Sequence, residues 1–251
     1  MKTGNRKKLI IAAAAAVLAA AGLAALAIWV IAPAVQYGRA VSMEQKDNTA
    51  GAYDLYDRLG DYRDAPEAAK RLQDEVIASC AEKTMAFAGY DWLVLEQRAG
   101  KALLLMRDIL EKRPFDEAAD DAETKALWEA CTLRAWLNGT FYKNLPAADR
   151  ARIAETALVN GRNGDYGTRA GGDSLDFVFL LSLEQAKLYF PDDAARVAKD
   201  PGGNAAWWWL RSPGEKAGLA AVVDRAGALG SAGSGVNYYD RGVRPAIWIV
   251  S

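Results

Sequence analysis

The sequence predicts an α+β protein that one amino-terminal helix holds to a membrane. Three observations predict this class. Residues 9–32 form an apolar run without a charge, and residues 36–86 alternate apolar and charged residues at helical spacing. From residue 87 the chain breaks into short apolar runs separated by turn residues. We therefore expect a basic tip and transmembrane helix in residues 1–35, a helical spacer in 36–86 and a mixed domain in 87–251.

The first part has the pattern of a membrane anchor. Residues 9–32 as one helix would be about 36 Å long at ~1.5 Å per residue, enough for a hydrocarbon core of ~30 Å. The basic residues Lys2, Arg6, Lys7 and Lys8 precede this run, and the positive side of an anchor stays in the cytoplasm. The head is then extracytoplasmic. A signal peptide cleaved near Ala32-Pro33-Ala34 is the alternative, although its apolar region would be only about 7–15 residues long.

The spacer of residues 36–86 is predicted to contain two helices that are separated at Gly60-Asp61-Tyr62. Gly60, Tyr62 and Ala65 fit a G-x-Y-x-x-A pattern, so this stretch resembles one tetratricopeptide-type helical hairpin. Repeat arrays need about three units to bury a continuous core. A single hairpin therefore favours a spacer over a peptide-binding groove.

The domain from residue 87 onward is predicted to consist of many short strands and a few helices. Residues 91–110 indicate a hairpin that turns at Arg98-Ala99-Gly100, and residues 123–142 have a helical period. Residues 176–181 are predicted as a strand, followed by a helix that Ser182 and Gln185 cap. The remaining expected elements are the strand WWWLRS, a hairpin about residues 224–227 and the closing strand VRPAIWIV.

Composition excludes several functional classes. The 31 basic and 32 acidic residues are interspersed, so no basic face for nucleic acid is expected. The absence of histidine excludes imidazole catalysis and His-rich zinc sites. Cys80 and Cys131 lack CxxC spacing, which leaves either a disulfide between them or two small buried thiols. No calcium-loop spacing occurs, and we expect neither a metal nor a cofactor.

Three consecutive tryptophans stand at positions 207 to 209. They either line a ligand-binding surface or belong to a strand buried in the core. In an extended chain Trp207 and Trp209 point to one face and Trp208 to the other, so the three cannot all line one pocket. Core positions are predicted for Trp207 and Trp209. Trp208 is a candidate ligand contact.

Three arginines stand inside apolar motifs, namely Arg134, Arg211 and Arg244. A buried guanidinium must be paired to avoid a large desolvation cost. Asp176 and Asp224 are available partners, so structural ion pairs are the main interpretation and anion binding is the alternative.

The segment GALGSAGSGVNYYDRG is expected to be an exposed loop, because its glycines and serines cannot fill a core. It carries the residue types that adaptable binding loops favour. We regard four of its residues as candidate ligand contacts, namely Asn237, Tyr238, Tyr239 and Asp240. A second glycine-rich segment, residues 160–176, is a candidate neighbour of this loop.

Several motifs of the head recur together in a known family. In order they are WLVL, ALLL, RPF, WEACTLRAWLN, FLLS, WWLRSPG and GVRPA. Residues 90–251 thus resemble an uncharacterised bacterial domain family, common in Firmicutes, that often follows a membrane helix or helical repeats and implies little about function. More distantly, the order of elements and the closing Gly242-Val243-Arg244 are similar to the C-type-lectin-like fold of formylglycine-generating enzymes and of the variable receptor proteins of diversity-generating retroelements. That resemblance implies that the loop with Tyr238 lies near a ligand site.

These features together favour a membrane-anchored extracytoplasmic binding or sensing module for a glycan, a peptide or a surface protein. A structural scaffold of a membrane complex, with the helical hairpin as docking surface, is the alternative. An enzyme with formylglycine-generating chemistry would need paired reactive cysteines in the carboxy-terminal half, and none follows Cys131.

Overall fold

The protein divides into two compact units between Ala78 and Ser79. The structure is a computed structural model that describes residues 32–117 and 127–250. The division falls earlier along the chain than the boundary expected at residue 87. The predicted membrane span, residues 9–32, lies outside the described residues apart from Ala32. Among the described helices, none combines the length and apolar character that crossing a bilayer requires.

The first unit is helical, as its periodicity predicts. Its helices are α1 (Ala32–Glu44), α2 (Thr49–Leu59) and α3 (Ala65–Cys80), the last of which runs into the second unit. The predicted break at Gly60 is confirmed, where the backbone turns with a φ of 52°. A second break, before α2, was not predicted. There the side chain of Asn48 accepts a hydrogen bond from the Gly51 amide at 3.1 Å and so caps α2.

A small core holds these helices together. Ala40 and Ala52 are fully buried, and such small side chains let helix backbones approach closely. Leu72 and Val76 of α3 pack into the same cluster with Tyr53 and Tyr56. The amino-terminal unit therefore has an apolar core of its own.

The second unit is a mixed α+β head, which confirms the predicted class. Its strands are β1 (Thr84–Phe87), β2 (Tyr90–Arg98), β3 (Lys101–Met106), β4 (Glu111–Lys112), β5 (Ile153–Ala154), β6 (Thr156–Leu158), β7 (Ser174–Asp176), β8 (Trp208–Pro213), β9 (Leu219–Val223), β10 (Leu229–Gly235), β11 (Gly242–Val243) and β12 (Ala246–Val250). The first sheet has the order β1-β2-β3-β12-β5, and all its neighbours are antiparallel. The predicted hairpin at Gly100 lies in this sheet. Of the predicted closing strand, Ala246–Val250 lies here as β12, whereas its first residue, Val243, belongs to β11 of the second sheet.

The second sheet has the order β10-β9-β8-β11-β4. Strands β8 and β11 are parallel, whereas β9 and β4 run antiparallel to them. The predicted hairpin between β9 and β10 is confirmed. Its turn requires Gly227, because a Cβ there would stand 1.7 Å from the carbonyl oxygen of Asp193. Strands β6 and β7 form a separate two-stranded sheet.

Short helices cover the head. After a 3₁₀ turn (Trp128–Ala130) they are α4 (Thr132–Trp136), a π-helical turn (Leu137–Phe141), α5 (Tyr142–Asn144), α6 (Ala147–Arg150), α7 (Leu183–Tyr189) and α8 (Asp193–Arg196). The predicted capping box is present, since the side chains of Ser182 and Gln185 each bond the other residue's backbone amide. The strand expected over residues 176–181 does not form, because β7 ends at Asp176, where that strand was expected to begin. Beyond it the buried chain makes one bridge, between Phe179 and Ala246.

Part of the segment expected as an exposed loop is instead strand β10. Glycine is needed there for close approach rather than for flexibility. Gly233 has a φ of 89°, and a Cβ on it would stand 2.8 Å from the carbonyl oxygen of Ala220. Only the stretch after Gly235 remains a loop.

The tryptophan run corrects one predicted site residue. Trp209 is fully buried, as expected, and its indole N–H donates to the Arg113 carbonyl at 2.8 Å. Trp208 is also fully buried and donates to the Arg196 carbonyl at 3.1 Å. A side chain without exposed surface cannot meet a ligand from solvent, so Trp208 is not a ligand contact. Trp207 is the partly exposed member of the three.

The buried arginines follow two different patterns. Arg134 forms the expected ion pair, with 2.6 Å between its Nε and Asp176 Oδ1. Arg211 instead donates to the Leu180 carbonyl and to the side chains of Asn160 and Gln185. Arg244 donates to backbone carbonyls, and Asp224 caps its own turn rather than pairing. Carbonyl oxygens thus replace the predicted carboxylates at Arg211 and Arg244.

Both cysteines are free and buried, so the disulfide interpretation does not hold in this structure. The Cys131 sulfur accepts a hydrogen bond from the Arg134 amide at 3.4 Å and caps the start of α4. Burial raises the pKa of the Cys131 thiol to about 12. This thiol is therefore a structural group that stays protonated at neutral pH.

Replacing Asp176 tests how much the ion pair between Arg134 of α4 and Asp176 of β7 stabilises the head. Its carboxylate also accepts hydrogen bonds from the Trp128 indole at 2.9 Å and the Ser174 hydroxyl at 2.8 Å. Because Asp176→Asn removes the charge that Arg134 faces, we expect the free energy of unfolding to fall by about 3 kcal/mol in urea denaturation followed by tryptophan fluorescence.

The matched control for this change is Asp165→Asn. Asp165 is half exposed and stands 4.0 Å from Lys187 across a surface pair, so its loss should cost less than about 0.5 kcal/mol. Equal effects of the two substitutions would contradict the structural role of the Arg134 pair.

Candidate functional site

The candidate site lies at one end of the second sheet. Trp207 directly precedes β8 and Arg241 directly precedes β11, so both stand at the start of a strand. Lys112 ends β4, which runs in the opposite direction. The pairing of Val223 with Trp208, of Trp208 with Gly242 and of Gly242 with Lys112 aligns these strand ends across the sheet.

A cleft of about 330 Å³ opens at this sheet end. The polar and aromatic side chains that line it are Lys112, Asp200, Asn204, Trp207, Arg225 and Asp240. They come from β4, from two turns and from the starts of β8 and β11. The fold therefore assembles the cleft from segments that are far apart in the sequence.

Arg241 joins the aromatic side of this cleft to the predicted binding loop. Its guanidinium lies 4.7 Å from the ring centroid of Trp207 and 5.4 Å from that of Tyr238. The same group pairs with Asp240, with 2.7 Å between Nη1 and Oδ1, while its Nε donates to Ser234 Oγ at 3.2 Å. Cation–π contacts and an ion pair thus hold Trp207, Tyr238 and Asp240 as one cluster.

Asp200 organises the opposite wall. Its Oδ2 accepts a hydrogen bond from the Lys112 ammonium at 2.8 Å, and its Oδ1 accepts from the backbone amides of Gly202 and Asn204. The hydrogen bond from Lys112 and then that from the Asn204 amide lower the pKa of Asp200. This carboxylate is ionised at neutral pH, and it fixes the position of the lysine.

The predicted loop residues are distributed unevenly around the cleft. Asp240 lines the cleft. Tyr238 is not part of the lining, but it contacts Arg241, which in turn lies over the lining residue Trp207. Asn237 and Tyr239 lie on the exposed part of the same loop, with Tyr239 70% exposed. Trp207, predicted as a core residue, has both roles, since it packs against the core and also lines the cleft.

Sequence reasoning missed four of the six polar and aromatic side chains that line the cleft, and also Arg241 beside it. It singled out neither Lys112, Asp200 and Asn204 nor the cations Arg225 and Arg241. The turn signals D-R-A-G at 224–227 and D-P-G-G-N at 200–204 mark two of these segments as surface turns. Their meeting depends on the pairing of β11 with β8 and β4, which no local pattern reveals.

The second glycine-rich segment lies against β10 rather than against the tyrosines. Asn163 is fully buried, and its side-chain amide donates to the carbonyls of Pro213 and Ser231 at 2.8 Å each. Thr168 donates to the Glu215 carbonyl at 2.8 Å. This segment therefore covers the outer edge of the second sheet.

A larger cavity, of about 400 Å³, is a groove in the helical unit between α2 and α3. Tyr53 and Tyr56 line it, but their hydroxyl groups already bond Gln73 and Glu44. Burial and the neighbouring Glu44 carboxylate raise the pKa of Tyr56 to about 12, so it stays neutral. The cleft of the head is smaller, yet it combines the indole ring of Trp207 with a cation, Arg225, that has no ion-pair partner among the described residues, and we consider it the better candidate.

The described residues offer no metal centre. Within 32–117 and 127–250, no three Cys, Asp or Glu side chains are grouped as ligands for an ion. Asp200 and Asp240 both line the cleft, but each is already paired with a cation.

Comparison with protein families matches residues 99–251 to one family model, which covers most of the head and more than half of the chain. The chain belongs to the DUF6273 family, a domain of unknown function. Membership in such a family confirms the coarser part of the sequence-based resemblance. Neither the curated proteins nor the solved structures gave a match.

The matched DUF6273 region contains all the side chains that line the cleft. Lys112 lies near its beginning, and Asp240 lies in the loop before its last two strands. The hairpin β2–β3 straddles its start, while β1 and the helical unit precede it. The candidate site is therefore a feature of the DUF6273 domain itself.

Proposed function

We propose that this protein is a membrane-anchored, extracytoplasmic binding or sensing module, whose head takes a ligand into the cleft at the sheet end. The observation that carries the proposal is the cluster in which Arg241 holds Trp207, Tyr238 and Asp240 beside a cavity of about 330 Å³. A preformed cleft with aromatic rings and a few fixed polar groups is the usual form of a small-ligand site.

Binding is favoured over catalysis because of the chemistry of the side chains in the cleft. Its carboxylates, Asp200 and Asp240, each pair with a cation, Lys112 and Arg241 respectively, rather than with one another. The chain has no histidine to act as a base. Cys131 is buried with a raised pKa, which opposes its use as a nucleophile.

The fold proposed for the head is C-type-lectin-like. Support comes from the order of its elements and from the closing Gly242-Val243-Arg244, which leads directly into the last strand. The antiparallel first sheet, the mixed second sheet and the loop after Gly235 are compatible with that arrangement. Fold likeness does not carry a ligand with it, so the choice of ligand depends on the cleft alone.

The membrane part of the proposal rests on the charge pattern of the sequence. Four basic residues precede the apolar run of residues 9–32, and such residues remain on the cytoplasmic side. The head and its cleft then face the exterior, where glycans, peptides and surface proteins are accessible.

Protease shaving of intact cells tests this orientation. We expect external protease to remove the head, detected by an antibody to the carboxy terminus, while a cytoplasmic marker stays intact. The reason is that the head follows an anchor whose positive end is inside. A head that survives shaving but is digested after lysis would overturn both the orientation and every exterior ligand.

Replacing Tyr238 tests the cleft as the binding site. Full-length protein in nanodiscs is probed on arrays of glycans and peptides. We expect Tyr238→Ala to weaken binding of the ligand found there at least about tenfold, because Tyr238 helps to hold Arg241 over Trp207, the aromatic ring of the cleft. Tyr166→Ala is the matched control, because the two rings are 50% and 52% exposed and Tyr166 lies in the other glycine-rich segment. Equal binding by both variants would contradict the proposal.

One observation supports the structural scaffold as a second candidate. The groove of about 400 Å³ in the helical unit carries Asp61 and Lys70 on its rim and could receive a partner helix. A partner whose binding is lost when Lys70 is replaced, and is unchanged when Tyr238 is replaced, would favour the scaffold function.

A further inference from the structure

We propose that the cleft recognises an acidic sugar unit through its carboxylate. This inference deepens the proposed binding function and rests on it. It follows from which hydrogen-bonding groups of the cleft are already engaged and which are open.

The open groups are mostly donors. Arg225 lines the cleft and makes no hydrogen bond or ion pair with any of residues 32–117 and 127–250. The indole N–H of Trp207 likewise has no acceptor in the described chain. Lys112 uses one of its three ammonium N–H groups on Asp200. The cleft therefore presents a guanidinium, an ammonium and an indole N–H to a ligand.

The acceptors are mostly engaged. Asp200 accepts from Lys112 and from two backbone amides, and Asp240 pairs with Arg241. Neither carboxylate neutralises Arg225. An anionic group with several acceptor oxygens matches this surplus of donors, and a guanidinium binds a carboxylate with two parallel hydrogen bonds.

The size of the cleft favours a single ring over a chain. About 330 Å³ is near the lower limit for small-molecule sites. Asn204 Nδ2 donates one N–H to the Gly202 carbonyl at 3.5 Å, which leaves its Oδ1 and the second oxygen of Asp240 as acceptors for ring hydroxyl groups. An acidic sugar offers one carboxylate for the cations and hydroxyl groups for these two side chains.

An extended peptide fits less well. Such ligands usually add a strand to an exposed sheet edge. At the edge strand β10, Asn163 occupies the carbonyl of Ser231 and the Glu215 amide occupies that of Ala232. These two contacts interrupt the row of β10 carbonyls on which a peptide strand would pair.

Arg225 can be replaced without loss of its turn. The Asp224 side chain accepts hydrogen bonds from the amides of Ala226 and Ala228 at 2.8 and 2.9 Å, which hold the turn independently of Arg225. Arg169 is the matched control, an exposed arginine of the same head that lies outside the lining of the cleft and has no ion pair within the described residues.

The test measures binding by full-length protein in nanodiscs of uncharged lipid, with calorimetry at low ionic strength. The probes are methyl glucuronoside, methyl glucoside and an Asp/Glu-rich hexapeptide. We expect the glucuronoside to bind, the neutral glucoside to bind at least about tenfold more weakly, and Arg225→Ala to remove that difference. Arg169→Ala should leave binding unchanged, and added salt should weaken binding.

Equal binding of the glucoside and the glucuronoside, no binding of the glucuronoside, or a glucuronoside affinity unaffected by Arg225→Ala would overturn the inference. Stronger binding of the acidic peptide would keep the anion site but overturn the sugar as its ligand. These outcomes do not decide whether the protein is a binding module, which the Tyr238→Ala experiment tests. A different ligand that depends on Tyr238 would preserve the binding function while this inference falls.

Discussion

The architecture of the head depends on one buried cation, Arg244. This residue lies between β11 of the second sheet and β12 of the first, where the chain crosses from one sheet to the other. Its guanidinium is 1% exposed and donates to the carbonyls of Met106 and Arg107 at 2.9 Å each. It also lies 4.9 Å from the centroid of Trp208. Burial lowers the pKa of Arg244 to about 9, so the group stays charged at neutral pH and needs these acceptors.

The cleft is a consequence of that crossing. With the chain held at Arg244, β11 lies between β8 and β4, and the Gly242 amide donates to the Trp207 carbonyl at 2.7 Å. Only glycine fits there, because a Cβ on Gly242 would stand 2.6 Å from the Ile109 side chain. The residue before it, Arg241, is thereby placed over Trp207. Arg241, which belongs to the candidate site, and Arg244, which joins the sheets, are thus separated only by the two residues of β11.

Local patterns predicted local features well. The hairpin at Gly100, the cap at Ser182 and the helix break at Gly60 each depend on residues close in sequence, and all are confirmed. Features that depend on distant pairing were not predicted. Only the first two residues of β10 were predicted as part of a hairpin; the rest of the strand, residues 231–235, has no apolar alternation, and glycine fits there against neighbouring backbone. The burial of Trp208 likewise depends on both faces of β8 being covered, which a single sequence does not show.

The most direct test of this account is hydrogen exchange of the Arg244→Lys variant. An ammonium cannot reproduce the fork of a guanidinium on the carbonyls of Met106 and Arg107. We expect faster exchange at the Gly242 amide in the second sheet and at the Met106 amide, which bonds Pro245 beside the first sheet. The Ala68 amide of the helical unit should not change. Unchanged protection at Gly242, or a loss confined to Met106, would contradict the claim that Arg244 joins the two sheets.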